Sequence, residues 1–300
     1  MTNPMIAEVM GEIPCLSLEE VSAHPRLAQA GKAFLSAFLK VYGDDPHMAR
    51  LLIETGRFMV FQFAIVNYAA QDPAQPESWA TVGRLKQIMQ GFGSASDRQI
   101  DTLLTRLCDL GFLEIVRAEQ DARVRIVRPI EAALSHDRDW LVAHYAPLAA
   151  AYPGRDYSLV MSRDAAFQVR HRRRSMEFIP LVMSMLLPPP EIMLFLGRPG
   201  GYLFLAALLD AALASGEGAH ATVSYSDVGG RFGYSRTHVR QVLTDAEAAG
   251  LVRLHGRGGH DVEILPALWA AHETGLARGM CLHDMVYART AADWPAKRQL

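Results

Sequence analysis

The chain repeats itself. Phe92 and Phe232 are separated by 140 positions, Gly111 and Gly250 by 139, and Pro129 and Pro266 by 137. Each trio punctuates the same series: a short helix, a tight turn, a capped helix, a helix stop, a hairpin and a proline-led helical region. Self-similarity on this scale ties both halves to one architecture and outweighs any single motif. One extra residue in the first turn and two in the first hairpin account for the drift. The 300 residues thus divide into an arm (1–24), a first unit (25–152) and a second unit (153–300), with the break at Pro153-Gly154.

The second unit carries the sharper pattern. Ser235 stands where an N-cap accepts from the first free amides of a helix. Val239, Val242, Leu243, Ala246 and Ala249 follow the three-four spacing of a buried face. Thr237, Arg240, Gln241 and Thr244 are left on the opposite face, flanked by Arg236 and His238. Arg, Gln and Thr presented early on a helix after a short turn suit base edges and phosphates. Gly250 stops the helix. Leu251 to Leu254 and Val262 to Leu265 then read as paired strands around a tip at Gly256-Arg257-Gly258-Gly259.

In the first unit the corresponding helix runs from Ser96 to Leu110, with Ile100, Leu103, Leu104, Leu107 and Leu110 as its buried face. Arg98, Gln99, Thr102, Thr105 and Arg106 face outward, but Asp97 and Asp101 lie beside them. The hairpin that follows (112–116 and 123–127) has an acidic tip at Glu119 and Asp121, with Arg123 and Arg125 along one strand. Carboxylates repel phosphate, so the second helix is expected to carry most of the affinity. Around these elements, helical patterns run from Pro25 to Val41, from Asp45-Pro46 to Tyr68, over 130–134 and 138–151, over 157–185 and 201–214, and as two helices from Pro266 to about Thr290.

This order of helices, recognition helix and wing resembles the winged helix-turn-helix regulators, and the MarR family in particular. The resemblance implies a mainly α fold of two tandem winged-helix domains, each with a small β-hairpin wing and flanking helices. Members of that family usually pair as homodimers through their terminal helices. With two units on one chain, an intrachain pseudo-dimer is expected, monomeric or at most homodimeric. The implied function is sequence-specific binding of double-stranded DNA in transcription regulation, with helices near 96–110 and 235–249 in major grooves and the wings on backbone or minor groove. A tandem winged-helix scaffold for protein contacts and a plasmid-type replication initiator are the competing readings. The Met- and aromatic-rich stretches 58–68, 178–187 and 193–204 read most simply as core and interface; since the resembled family binds small aromatic molecules, a small apolar or aromatic effector is the partner the resemblance allows, and a Met-rich cleft among them is the alternative to a filled core.

Composition narrows the class. A net charge of −2 and a pI near 6.6 rule out an indiscriminately basic protein but leave room for a local basic face. Of 30 cationic side chains only Lys32, Lys40, Lys86 and Lys297 are lysines; arginine is the better bidentate partner for phosphate and guanine, but a high-GC genome gives the same bias and is the simpler cause. The strongest basic run, Arg170-His171-Arg172-Arg173-Arg174, lies between the two helix-turn-helix stretches; it is expected either along phosphates or paired with acids such as Asp164 and Glu177. Three scattered cysteines, no basic-then-apolar leader and no run of about 18 apolar residues lead to the expectation of a cytoplasmic protein off the membrane. Cys281, His283 and Asp284 with His272, and His255, His260 and Asp261, are metal-ligand types without an established zinc spacing. No nucleophile stands at convincing distance from a base. No cofactor, metal or enzymatic activity is expected.

Overall fold

The computed structural model describes residues 4–43, 46–93, 95–185, 187–216, 219–255 and 260–294. The arm forms α1 (Pro4–Met10) and α2 (Leu18–Ser22). The first unit follows with α3 (Leu27–Gly43), α4 (Pro46–Leu52), α5 (Thr55–Ala70), α6 (Val82–Gln90), α7 (Asp97–Asp109), β1 (Leu113–Arg117), β2 (Arg125–Pro129) and α8 (Glu131–Ala151). The second has α9 (Ser158–Met161), α10 (Ala165–Ser175), α11 (Ile179–Met185), α12 (Pro190–Leu196), α13 (Gly201–Ala214), β3 (His220–Thr222), α14 (Tyr225–Phe232), α15 (Arg236–Ala248), β4 (Val252–His255), β5 (Asp261–Ile264) and α16 (Pro266–Ala292). The fold is mainly α with two small antiparallel sheets. No single described helix is long and apolar enough to cross a membrane.

Both sheets are built alike. In the first, β1 pairs β2 from Leu113 opposite Pro129 to Arg117 opposite Arg125, and an isolated bridge joins Thr81 to Ile126. In the second, β5 lies between β3 and β4, with His220 opposite Glu263 and Val252 opposite Ile264. Each half therefore runs helix, short edge segment, helix, helix, hairpin, helix. The third strand and the bridge go beyond the sequence expectation, because segments of one to three residues are too short to show alternation.

Four helical stretches differ from the sequence expectation. The pattern over 157–185 is divided into α9, α10 and α11, with Arg163 at φ 60° in the first break. The two stretches expected over 130–134 and 138–151 form the single helix α8 (Glu131–Ala151), since nothing between Leu134 and Arg138 breaks it and Asp137 is held from outside. Gly275 and Gly279 do not divide α16. A mid-helix glycine costs about 1 kcal/mol relative to alanine, and Leu276, Ala277, Met280 and Cys281 are buried around them. Conversely, the pattern from Pro46 to Tyr68 breaks at Ile53-Glu54, because α4 packs on α14 whereas α5 packs on α10 and β2.

The long helices at the centre bring the halves together. α3 lies along α8 and also touches α13, α14 and α16, while α10 is held between α5 and α16. One buried cluster runs through both halves, from Phe34, Phe38 and Tyr145 to Phe204, Leu208 and Met285. Buried polar groups cross the same seam. The Asp137 carboxylate pairs with the Arg172 guanidinium, with both side chains out of water, and accepts from Gln168 Nε2 at 2.7 Å. Asp284 on α16 accepts from the Leu16 amide at 2.6 Å, Arg155 at 2.8 Å and the Tyr157 hydroxyl at 2.7 Å. The arm is thereby fastened to α16, and the residues following Pro153-Gly154 are fastened there too.

Candidate nucleic-acid interface

The turn ahead of α15 is built by glycine. Gly233 closes α14 at φ 76°, and a Cβ on Gly229 would stand 2.5 Å from the Tyr234 carbonyl oxygen. That close approach swings Ser235 over the next helix, where its hydroxyl accepts from the His238 amide at 3.2 Å. Val239, Val242, Leu243 and Ala246 are buried against the sheet and α13; Ala249, the C-cap, is exposed. Arg236, Thr237, Arg240, Gln241 and Thr244 all face solvent as expected.

His238 does not join them. Its Nε2 lies 2.7 Å from the Pro199 carbonyl, and its ring stacks on Tyr234 and meets Phe204 edge-on. It fixes α15 to the loop ahead of α13 and is a positioning residue, which corrects its expected place among the contacts. The same loop delivers Arg198, with 49% of its side chain exposed, to an ion pair with Asp245. Asp245 also accepts from Gln241 Nε2 at 2.9 Å. Arg198 is thus a cation at the edge of α15 that sequence reasoning missed; it stands 47 residues from its partner. At the C-terminal side Glu247 is turned onto the Leu254 amide at 2.7 Å, so the N-terminal half of the exposed face carries no carboxylate. The hairpin behind it has Arg253 and His255 both on Glu263, at 2.8 and 2.9 Å. Arg257, assigned to the wing tip, lies outside the described residues.

α7 is occupied differently. Gln99 closes a capping box with Ser96, accepting from the Ser96 amide at 2.8 Å, so it caps the helix instead of reading bases. Thr102 and Thr105 turn their hydroxyls back to the carbonyls of Arg98 and Asp101, at 2.8 and 3.0 Å. Lys86 on α6 meets Asp101 at 2.8 Å. Arg98 and Arg106 stay exposed. Leu110, placed on the buried face by spacing, is the C-cap and is 53% exposed; Cys108 beside it is only half-buried. In the hairpin, Arg123 is tied to Asp121 at 3.1 Å, and that pairing lowers the Asp121 carboxyl below its ordinary range. Arg125 is exposed and stands directly opposite Arg117 in the ladder. Like charges facing each other across strands destabilise a hairpin unless an anion comes between them. Arg117 is a second cation that the sequence reading passed over.

The basic run at 170–174 is not a free face. Because α10 lies between α5 and α16, its arginines reach groups on the helices around it. Arg170 donates to the Asp293 carbonyl at 3.0 Å and covers the Trp294 ring, and Arg174 pairs with Glu177 and Asp293. Arg172 is buried on Asp137 and over Trp140. Arg173, though exposed, donates to the Ala69 carbonyl at 2.9 Å. The alternative of pairing within the protein holds here, and the expectation that these four arginines lie along phosphates is withdrawn. Glu177 is one of the acids expected; Asp164 instead caps α10 by accepting from the Phe167 amide.

The other clusters are structural as well. Asp284 is fully engaged, Cys281 is pushed up to about 12 by burial, and His283 is half-buried beside Tyr145 and Trp140. Among the described residues no three His, Cys, Asp or Glu side chains converge as a metal site would require. Val60, Phe61 and Ala64 from the first Met- and aromatic-rich stretch, and Leu203 and Phe204 from the third, are packed as core. No family model matches the chain, and no match was found among curated proteins or among solved structures.

Proposed function

We propose that the chain is a sequence-specific DNA-binding regulator built of two winged-helix units in tandem, with α15 as the main reading helix and α7 as its weaker counterpart. The observation that carries this reading is the carboxylate-free row of Arg236, Thr237, Arg240 and Gln241 on the exposed face of α15, presented by a glycine-tight turn and followed by a hairpin. A helix so presented has its N-terminal half free to enter a major groove, with Arg and Gln able to bond base edges bidentately. The strand order β3-β5-β4 supports the winged-helix assignment, since the hairpin is then continued by a strand placed between α13 and α14. Arg117 and Arg125 supply a phosphate contact on the first hairpin that its acidic tip alone would not suggest.

A protein-interaction scaffold is favoured by one feature only. Leu110 and Ile115 are 53% and 43% exposed on the first unit, next to a hairpin with carboxylates at its tip. A unit of that kind suits a protein contact, so α7 and α15 need not share a partner.

Selection of bound sequences from random duplexes, followed by gel shift at several salt concentrations, tests the proposal. The wild-type chain should retain a defined site with a steep salt slope. Arg236→Ala with Arg240→Ala should weaken that site by at least tenfold and relax the sequence preference at the positions they read. Failure to retain any sequence, together with a flat salt response, would overturn the DNA reading in favour of the scaffold.

A further inference from the structure

The turn ahead of α15 is not built by the second unit alone. α4, from the first unit, packs on α14, and two of its residues one helical turn apart close over the glycine of the turn. A Cβ on Gly233 would stand 2.9 Å from Arg50 Cδ and 3.3 Å from Pro46 Cβ. The contact is fastened from the other side by Arg231. Its guanidinium donates to the Leu39 carbonyl at 3.2 Å and lies against Gly43, where a Cβ would collide with it. Two glycines, one from each unit, let the units close on each other here.

Arg50 brings a charge to this turn. Its stem covers Gly233, and its guanidinium lies over the Tyr234 ring, 5.7 Å from the centroid. That ring is fixed in turn: it stacks on His238 at 5.5 Å and packs onto Gly200, where a Cβ would overlap it. The Arg50 backbone is held as well, since Arg57 donates to its carbonyl at 3.1 Å. Arg57 also takes up the nearby Glu54 carboxylate, at 3.3 Å. Arg50 itself is exposed and pairs with no carboxylate among the described residues.

We infer that Arg50 of the first unit contacts a DNA phosphate beside α15, so that the half-site read by the second unit is bound by both units together. The inference rests on the DNA reading proposed above. When a recognition helix enters a major groove by its N-terminal half, the helix before it crosses the backbone. The turn between the two then lies along the phosphates. Tyr234 and Arg236 flank the Ser235 cap, so a cation seated on the Tyr234 ring stands next to the first arginine of α15. A phosphate contact adds affinity without sequence preference, which separates the role of Arg50 from that of Arg236 and Arg240.

Two measurements on the full-length chain and its selected duplex decide the matter, with circular-dichroism melts to verify folding. The first is gel shift at several salt concentrations. Arg50→Met keeps the stem over Gly233 and loses the charge. It should lower the salt slope by about one and weaken the site by about two- to fivefold, the worth of one exposed ion pair, with the sequence preference of the wild type. Arg50→Lys should retain the slope. Arg50→Gln takes the place of Arg50→Met if that variant does not fold. In the second measurement the phosphates of the site are replaced one at a time by uncharged methylphosphonates. One position should weaken the wild type and leave Arg50→Met unaffected. An unchanged slope in the folded uncharged variant, loss of slope in Arg50→Lys, an altered sequence preference, or an equal penalty for both proteins at every phosphate would overturn the inference and leave the DNA reading standing. A wild-type chain that retains no sequence would instead remove the DNA reading, and this inference with it.

Discussion

At the scale of single residues, most of the decisive side chains are buried ones that join the two halves. Arg172 and Asp137 show why such a pair is kept. Removing one member strands the other charge out of water, at a cost of about 3–5 kcal/mol, whereas replacing both with apolar groups is often neutral. Arg172→Met is therefore expected to lower the urea midpoint sharply, and Arg172→Met with Asp137→Leu to recover most of the loss. A second residue-scale expectation concerns acid. Burial holds His144 at about 3 and His272 at about 4; His171, with Arg172 adjacent, and His283 are depressed well below the ordinary 6.5. All four stay neutral in the folded chain, while below pH 6.5 the unfolded chain takes up protons on them. Stability is then full above about pH 6.5 and falls as pH drops toward 4, by up to about 1.4 kcal/mol per unit for each histidine. Urea titrations at pH 7.5, 6 and 5 check this; a midpoint that is flat over that range would contradict it. The Tyr145 hydroxyl belongs to the same group. Its one proton goes to the His283 carbonyl at 2.7 Å, so His171 Nε2 must donate to its oxygen, which leaves His171 Nδ1 without a partner among the described residues. Such residues show where sequence reading stops. The cap at Ser235 is legible because its partner is three residues away. The role of His238 is hidden because Pro199 is 39 residues away, and the run at 170–174 misleads because Asp137 is 35 residues from Arg172. Local charge density does not disclose a distant partner.

At the scale of elements, the strand-forming runs and helices α7 and α15 are readable from periodicity, caps and helix stops. Their ends are set by short-range chemistry, the kind a linear reading can follow. The continuity of α8 and α16 and the break between α4 and α5 are not readable. They depend on which neighbours each helix meets, and the glycines of α16 are tolerated because the residues around them are buried. The turn from α14 to α15 carries an expectation of its own. Gly229→Ala would drive a methyl into the Tyr234 carbonyl, and backbone cannot yield as a side-chain tip does. Gly233→Ala would meet the flexible Arg50 side chain at 2.9 Å and Pro46 Cβ at 3.3 Å, side-chain contacts that can give, but adopts φ 76°, at a cost of about 1–2 kcal/mol. Gly229→Ala should therefore be the more damaging, both in thermal melts and in DNA affinity, since it displaces the N-terminus of α15. An equal effect of the two would mean that the turn adapts.

At the scale of the whole molecule, the repeat foretells two units but not how they share an interior. α3 of the first unit packs on α8 and also on α13, α14 and α16, so cutting at the break between the units would expose core on both sides. Chains 25–152 and 153–300, produced separately, should be aggregation-prone alone and gain solubility when produced together. Light scattering of the intact protein should give a particle of about 33 kDa; a stable particle of twice that mass would mean that exposed helices also pair between chains.

The Asp284 carboxylate has a consequence for how the chain comes to be made. It holds the amide of Leu16, which lies 268 residues earlier. At a translation speed of about 5–20 residues per second, that separation takes on the order of 15–50 s to cross. During this interval the arm is already synthesised but its anchor is not, and α3 waits without α16. The molecule can close only late in synthesis. The nascent first unit is then the species most in need of a chaperone, and a slowing of the ribosome before α16 would lengthen its exposure.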